Sequence, residues 1–249
     1  MSKKTRDSMR EYWDERARLN AVWYVDTSLD YETPDLDRFF ETGRRIVTEA
    51  LDGVEVDLPG RGVAVEIGSG LGRVCLALAV RVDRVVGVDI SSEMVDRART
   101  LVQNDRVTFE LGDGTSLRNL PDSFADVVLS FTVFQHIPDV AVIEGYIAEA
   151  GRVLRPGGLL VFQWNNTPGR VRWVVRRSLL AFAERIGVNT ERHGRNAPEF
   201  LGSRVPLRTI RDALARSGFT LRTTKGTGTL FAWAWAVKSD SGVSTTSSA

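Results

Sequence analysis

Three acids and three alternating glycines in the first half of the chain are spaced to hold a charged nucleoside. Gly68, Gly70 and Gly72 fall in EIGSGLGR, directly after the apolar run Val63–Ile67. A glycine turn between a strand and a helix brings backbone N–H groups and a positive helix end to a ligand. A dinucleotide fingerprint needs G-x-G-x-x-G; here the spacing is G-x-G-x-G and position 73 is arginine. Glu66 stands two residues before the first glycine. A carboxylate repels a pyrophosphate and attracts an ammonium group, so the ligand is expected to carry a cation at this point. Asp89 ends the run VVGVD, 17 residues after Gly72, near the spacing at which an acid takes ribose hydroxyls. Asp113, between Gly112 and Gly114, is placed to accept from an exocyclic adenine amine. The acids and glycines together read an adenosine-like ribose and a positively charged amino-acid tail.

A second group of residues could move a proton. The chain has two histidines, His136 in SFTVFQHIPD and His193 in ERHGRN. A base with a pKa near neutrality suits the activation of a hydroxyl. His136 is the candidate general base, the alternative being a structural histidine at the start of the helix near Asp139. His193 reads as a base, a substrate contact or a surface residue. The single cysteine, Cys75, is flanked by Leu76 and Leu78 and reads as core. With no H-E-x-x-H and no C-x-x-C, no metal site is expected.

The elements that must position these groups alternate. Strands are predicted at Val63–Ile67, Arg84–Val88, Val107–Leu111, Ala125–Ser130 and Leu159–Trp164, with helices at Leu71–Val80, Ser91–Val102 and from Asp139 to Leu154. Arg155-Pro156-Gly157-Gly158 stops the last of these helices. Such alternation means βαβ units and a mostly parallel sheet. Pro206–Ser217 then reads as a helix, and Phe219–Lys225 and Leu230–Val237 as a hairpin around Gly226-Thr227-Gly228, an antiparallel edge. Pro34–Gly53 carries a helical apolar pattern, and residues 5–20 read as a helix lying over something.

Composition narrows the class. The 249 residues are 43% hydrophobic and 26% charged with a net charge of +1, ordinary for a globular protein and without a global field for nucleic acid. The start lacks an apolar signal region and no run is long enough to span a membrane, so a cytoplasmic α/β protein is expected. Charge is uneven, however. Residues 165–220 hold eleven arginines against four acids, and Arg170–Arg185 reads as an amphipathic basic helix. It could grip a carboxylate or phosphate on an acceptor, or be a solvated face. Tyr12, Trp13, Trp23 and Tyr24 could form the opposite wall of a pocket.

The ordered set E-x-G-x-G-x-G, the acid after strand two, the GD turn after strand three, DVVLSFTVFQHIPD and LRPGG resembles the class I S-adenosylmethionine-dependent methyltransferases. The resemblance covers about residues 60–165. It implies a Rossmann-like fold, a mostly parallel seven-stranded sheet with an antiparallel C-terminal hairpin, and S-adenosylmethionine as cofactor. It also implies roles: Glu66 near the methionine amino group, with Gly68 and Gly70 admitting the methionine moiety; Asp89 on the ribose and Ile90 beside the adenine; Asp113 on the adenine amine with Gly114 beside it; Phe131 near the sulfonium. The expected organisation is an N-terminal helical cover over 1–55, a methyltransferase domain over 56–238 with a cap inserted at 165–205, and a disordered tail over 239–249. The expected reaction is O-methylation of a small molecule such as a specialised metabolite or sugar. The rivals are methylation of RNA or protein through the basic cap, and a cofactor-binding module without turnover.

Overall fold

The computed structural model describes residues 3–53, 62–168 and 198–239. Seven strands form one sheet: β1 (Val63–Ile67), β2 (Arg84–Asp89), β3 (Val107–Leu111), β4 (Ala125–Ser130), β5 (Leu154–Trp164), β6 (Phe219–Lys225) and β7 (Ala232–Lys238). Their order is β3-β2-β1-β4-β5-β7-β6. The first five run parallel, and β7 is antiparallel to both its neighbours. The chain builds outward from β1 to β3 and then returns to place β4 on the other side of β1. Such a reversal opens a crevice at the carboxyl ends of the strands.

Both faces of the central strands are covered, which is why β1, β2, β4 and β5 are largely apolar. On one face Val65, Ile67 and Val128 pack with Ile143 and Ile147 of α5 (Val140–Val153) and with Ile210 and Leu214 of a later helix (Leu207–Arg216). On the other, Ala64, Val85, Val127 and Leu129 meet α2 (Leu36–Asp52), α3 (Arg73–Leu78) and α4 (Ser92–Leu101) through Ile46, Val74, Leu78 and Val95. A buried Ile or Leu contributes about 1.5–3 kcal/mol, against about 0–1 kcal/mol for an exposed ion pair, so these two layers hold the platform. The helices start on cap residues: Asp35 accepts from Arg38 N, Ser91 from Met94 N and Asp139 from Ala141 N.

The first helix, α1 (Lys3–Val25), crosses the carboxyl ends of β2 and β3 and breaks at Asn20, which has non-helical backbone angles. Asn20 accepts from Trp23 N and donates to the Tyr31 carbonyl. Arg10 donates to the carbonyls of Ile90 and Gly112, both at 3.1 Å. Asp14 accepts from Ser91 Oγ (2.6 Å) and Glu93 N (3.2 Å), a negative charge at the N-terminus of α4.

Several expected boundaries shift. The helix after the glycine turn is shorter than Leu71–Val80, because Gly72 at φ +82° still belongs to the turn. β5 begins at Leu154 rather than Leu159: Leu154 pairs with Ala125, and Arg155–Gly158 form an irregularity before Val127 meets Leu159. The segment read as a stop is thus a bulge within the strand. β7 starts at Ala232 rather than Leu230. The basic helix Arg170–Arg185, His193 and most of the expected cap and tail lie outside the described residues. No helix among the described residues is long and apolar enough to cross a membrane.

Candidate active site

A cleft opens where the strand order reverses. Glu66, Gly68, Gly70, Asp89, Ile90, Gly114, Phe131 and His136 all line it. Asp113 does not; at that point the wall is Gly112 and Gly114.

The glycine turn runs straight from β1 into α3. Gly68, Gly70 and Gly72 all take positive φ, which excludes a side chain at little cost only for glycine. A Cβ on Gly68 would also stand 2.2 Å from Val133 and one on Gly70 2.8 Å from Val25. Ser69 between them is buried, and its hydroxyl oxygen has no partner among the described residues.

Glu66 is the last residue but one of β1, and its carboxyl group is buried. Burial is the main cause of its carboxyl being raised to about 8; the Cys75 thiol and the Arg73 charge oppose this, and Asp89 adds to it. Cys75 Sγ donates to Glu66 Oε2 at 2.8 Å. The cysteine is core, as expected from its neighbours, and it also orients the acid. That contact was not readable, because it joins a strand end to the helix beyond the turn.

Asp89 is fixed by its own backbone surroundings. Its carboxylate accepts from Gly70 N (2.8 Å) and Ser91 N (2.9 Å), which ties the end of β2 to the glycine turn. Burial outweighs these bonds and raises its pKa.

Asp113 departs from its expected role. Its Oδ1 accepts from Thr115 N, Thr115 Oγ1 and Ser116 N, and its Oδ2 from Ser116 Oγ, all within 2.8–3.0 Å. Burial works against ionisation, but the Thr115 and Ser116 bonds prevail and hold Asp113 below the usual carboxylate range. The carboxylate closes its own turn and faces a smaller cavity beside Arg118, not the cleft. The sequence carried the signal: an aspartate followed by threonine and serine two and three residues on is an Asx turn.

The opposite wall comes from distant segments. Trp13 and Tyr24 of α1 line the cleft, as expected, whereas Tyr12 and Trp23 are buried behind it. Met9, Val25, Met94 and Tyr146 line it as well and were not anticipated. His136 sits in a short helical turn, Phe134–His136, after β4. Its ring lies 5.5 Å from that of Trp13 and 4.7 Å from that of Phe200, and its Nδ1 is hydrogen-bonded to the Phe200 carbonyl. Gly202, at φ +53°, presses on the Gln135 carbonyl, where a Cβ would stand 2.0 Å away. Ser203 Oγ donates to the Ile137 carbonyl. Residues 200–203 therefore clamp the histidine turn.

Arg73 was missed altogether. It enters the first turn of α3, is 5% exposed, and pairs with Asp26, Thr42 and the Val25 carbonyl. Its guanidinium lies over the rings of Phe39 and Phe131. It joins the end of α1 to the cleft. Among the described residues no three His, Cys, Asp or Glu side chains are grouped to hold a metal ion.

A switch-point crevice with a glycine turn at one strand end and a carboxylate at the next defines a Rossmann-like nucleoside-binding domain. Residues 65–162 match the family described as "Methyltransferase domain". The chain is 31% identical over 167 residues to the 2-methyl-6-phytyl-1,4-hydroquinone methyltransferase of Synechocystis, covering 64% of this chain and 51% of that protein. It is 28% identical over 158 residues to the methyltransferase GfsG of Streptomyces halstedii, covering 60% and 55%. The chain thus spans about half the length of these two relatives. Among solved structures, magnesium protoporphyrin IX methyltransferase of Synechocystis, with bound S-adenosylhomocysteine, superposes with a TM-score of 0.60 at 20% identity over 94% of this chain and 99% of that one. Residues 65–162 thus match a methyltransferase domain, and the fold is that of S-adenosylmethionine-dependent methyltransferases.

Proposed function

We propose that the protein transfers a methyl group from S-adenosylmethionine to a small-molecule acceptor, with oxygen as the accepting atom. One observation carries this reading: a buried carboxylate, a glycine turn, a strand-end aspartate and an imidazole line a single cleft. The donor set fits the cofactor. Glu66 would meet its amino group, Gly68 and Gly70 its methionine chain, Asp89 its ribose hydroxyls, Ile90 and Gly114 its base, and Phe131 its sulfonium end. When bound, S-adenosylmethionine supplies a methyl group on a cationic sulfur that is a good leaving group. The protein's task is then to orient the acceptor and take its proton.

His136 is the residue for that proton. A carbonyl oxygen only accepts, so the Phe200 contact places the ring proton on Nδ1. Nε2 then carries the lone pair, beside the Gln135 amide nitrogen at 3.4 Å. A positioned base of this kind contributes about 10²–10⁴ in rate. Trp13, Tyr24 and Phe131 give the acceptor an aromatic wall. The hydroquinone named in one relative supports a small acceptor. The excess of arginine over residues 165–220 supports one that carries a carboxylate or phosphate.

The test is to incubate the pure protein with S-adenosylmethionine labelled in the methyl group and a size-fractionated cell extract. Label in a small molecule, on an oxygen by fragmentation, is the expected result. Label in RNA or protein would overturn the acceptor class, and label on carbon or nitrogen would overturn the oxygen.

A further inference from the structure

With the Asp113 carboxylate committed to its own turn, the base end of the cleft needs another polar group. Tyr146, on the sheet-facing side of α5, is 5% exposed and lines the cleft. Its ring is fixed by stacking on Phe134, centroids 5.9 Å apart and planes 23° apart. Among the described residues no hydrogen bond is made by its hydroxyl, which reaches the cleft rather than being sealed in the core. A phenol on an apolar wall normally finds a partner, and here the cleft is where one would come from. Burial and then the charges of Asp113 and Asp89 keep this phenol protonated far above neutrality, so it both donates and accepts at physiological pH. It shares the cleft wall with Ile90, Gly112 and Gly114.

We propose that the Tyr146 hydroxyl is the group that recognises the purine of the cofactor, by accepting from its exocyclic amine. This rests on the cofactor reading above and adds a residue to it. The geometry suits the role. A hydroxyl on a ring locked between the sheet and Phe134 has one torsion left to adjust, so little freedom is lost when it binds. Asp113 is bound up in its own turn with Thr115 and Ser116 and faces the smaller cavity beside Arg118. Tyr146 gives up nothing.

The experiment is calorimetric titration of wild type and Tyr146→Phe with two ligands. One is S-adenosylhomocysteine; the other is the same thioether whose purine lacks the 6-amino group. The phenylalanine keeps the stacked ring and removes only the oxygen. Wild type is expected to prefer the amino-bearing ligand by about threefold to tenfold, the range for one net hydrogen bond. Tyr146→Phe is expected to lose that preference and to bind the deaminated ligand as wild type does. An undiminished preference in the variant overturns the proposal, as does an equal loss toward both ligands, which would mark a packing role. Because the readout is a ratio within one protein, partial loss of stability does not mimic it. Failure of wild type to bind either ligand would instead overturn the cofactor reading on which the proposal stands.

Discussion

The two ends of the cleft are built differently. The end proposed for the cofactor is made of strand termini: Glu66 lies at the end of β1 with Gly68–Gly72 after it, Asp89 closes β2 with Ile90 after it, and Gly112–Gly114 follow β3. The acceptor end is assembled from α1, the turn after β4 and residues 200–203, segments far apart in the chain. At the first end the backbone itself does the positioning, as when Gly70 and Ser91 amides hold Asp89. At the second, side chains meet side chains, as when the rings of His136, Trp13 and Phe200 cluster together. A site built this way keeps its cofactor geometry while its acceptor wall changes.

If the two ends are separable, variants should divide cleanly. His136→Ala is expected to lower turnover by about 10²–10⁴ while leaving the cofactor dissociation constant within about twofold, by steady-state rates and titration calorimetry. A parallel loss of cofactor affinity would erase the division between the ends. Asp89→Ala removes charge-assisted bonds worth about 1.5–3 kcal/mol and should weaken cofactor binding by about tenfold to a hundredfold. Equilibrium binding to a variant with an unchanged circular dichroism spectrum checks it.

Glu66 sharpens the comparison through pH. Its carboxyl sits at about 8 because of burial, so at neutral pH it is mostly protonated in the free protein. A cationic group prefers the ionised form. Affinity should therefore rise between pH 6 and 7.5 by up to about tenfold per pH unit, with a proton released on binding. Titrations in buffers of different ionisation enthalpy count that proton, and Glu66→Gln should abolish both effects. In the unliganded protein the sign is opposite. The native state holds the proton more tightly than an unfolded glutamate with its ordinary value of 4.5, so stability falls as pH rises from there to about 8. The smallest effect belongs to Asp113. Asp113→Asn keeps most acceptor bonds of the turn, and cofactor affinity should change by less than about threefold. A loss as large as that of Asp89→Ala would return Asp113 to the base.

The same contrast explains what the sequence made legible. Val63–Ile67, Val107–Leu111 and Ala125–Ser130 are strands at their expected limits, since short runs rich in Val, Phe, Ile and Leu between turn residues are strand signals. The residues proposed for the cofactor end lie at or just after the ends of the parallel strands, so the strand pattern fixes where to look for them. At Asp113 two signals compete: flanking glycines mark a ligand loop, while Thr115 and Ser116 two and three residues on mark the Asx turn that its carboxylate closes. Arg73 and Tyr146 could not be found. Their roles depend on Asp26 and Phe134, neighbours that only the fold brings close. β5 was cut short because Pro156 and Gly157 look like a stop, whereas Leu154 already pairs with Ala125.

The sheet order has a further consequence, for synthesis rather than catalysis. β7 is the last of the seven strands in the chain, yet it lies between β5 and β6 and pairs with both. Until it leaves the ribosome, β5 keeps an open edge along Leu159–Trp164, among the most apolar segments of the sheet. Unpaired apolar edges invite pairing with other chains. The nascent protein therefore has an interval in which a chaperone, or speed, must stand in for Ala232–Lys238. A chain terminated before Ala232 would keep its cofactor strands and aggregate through β5.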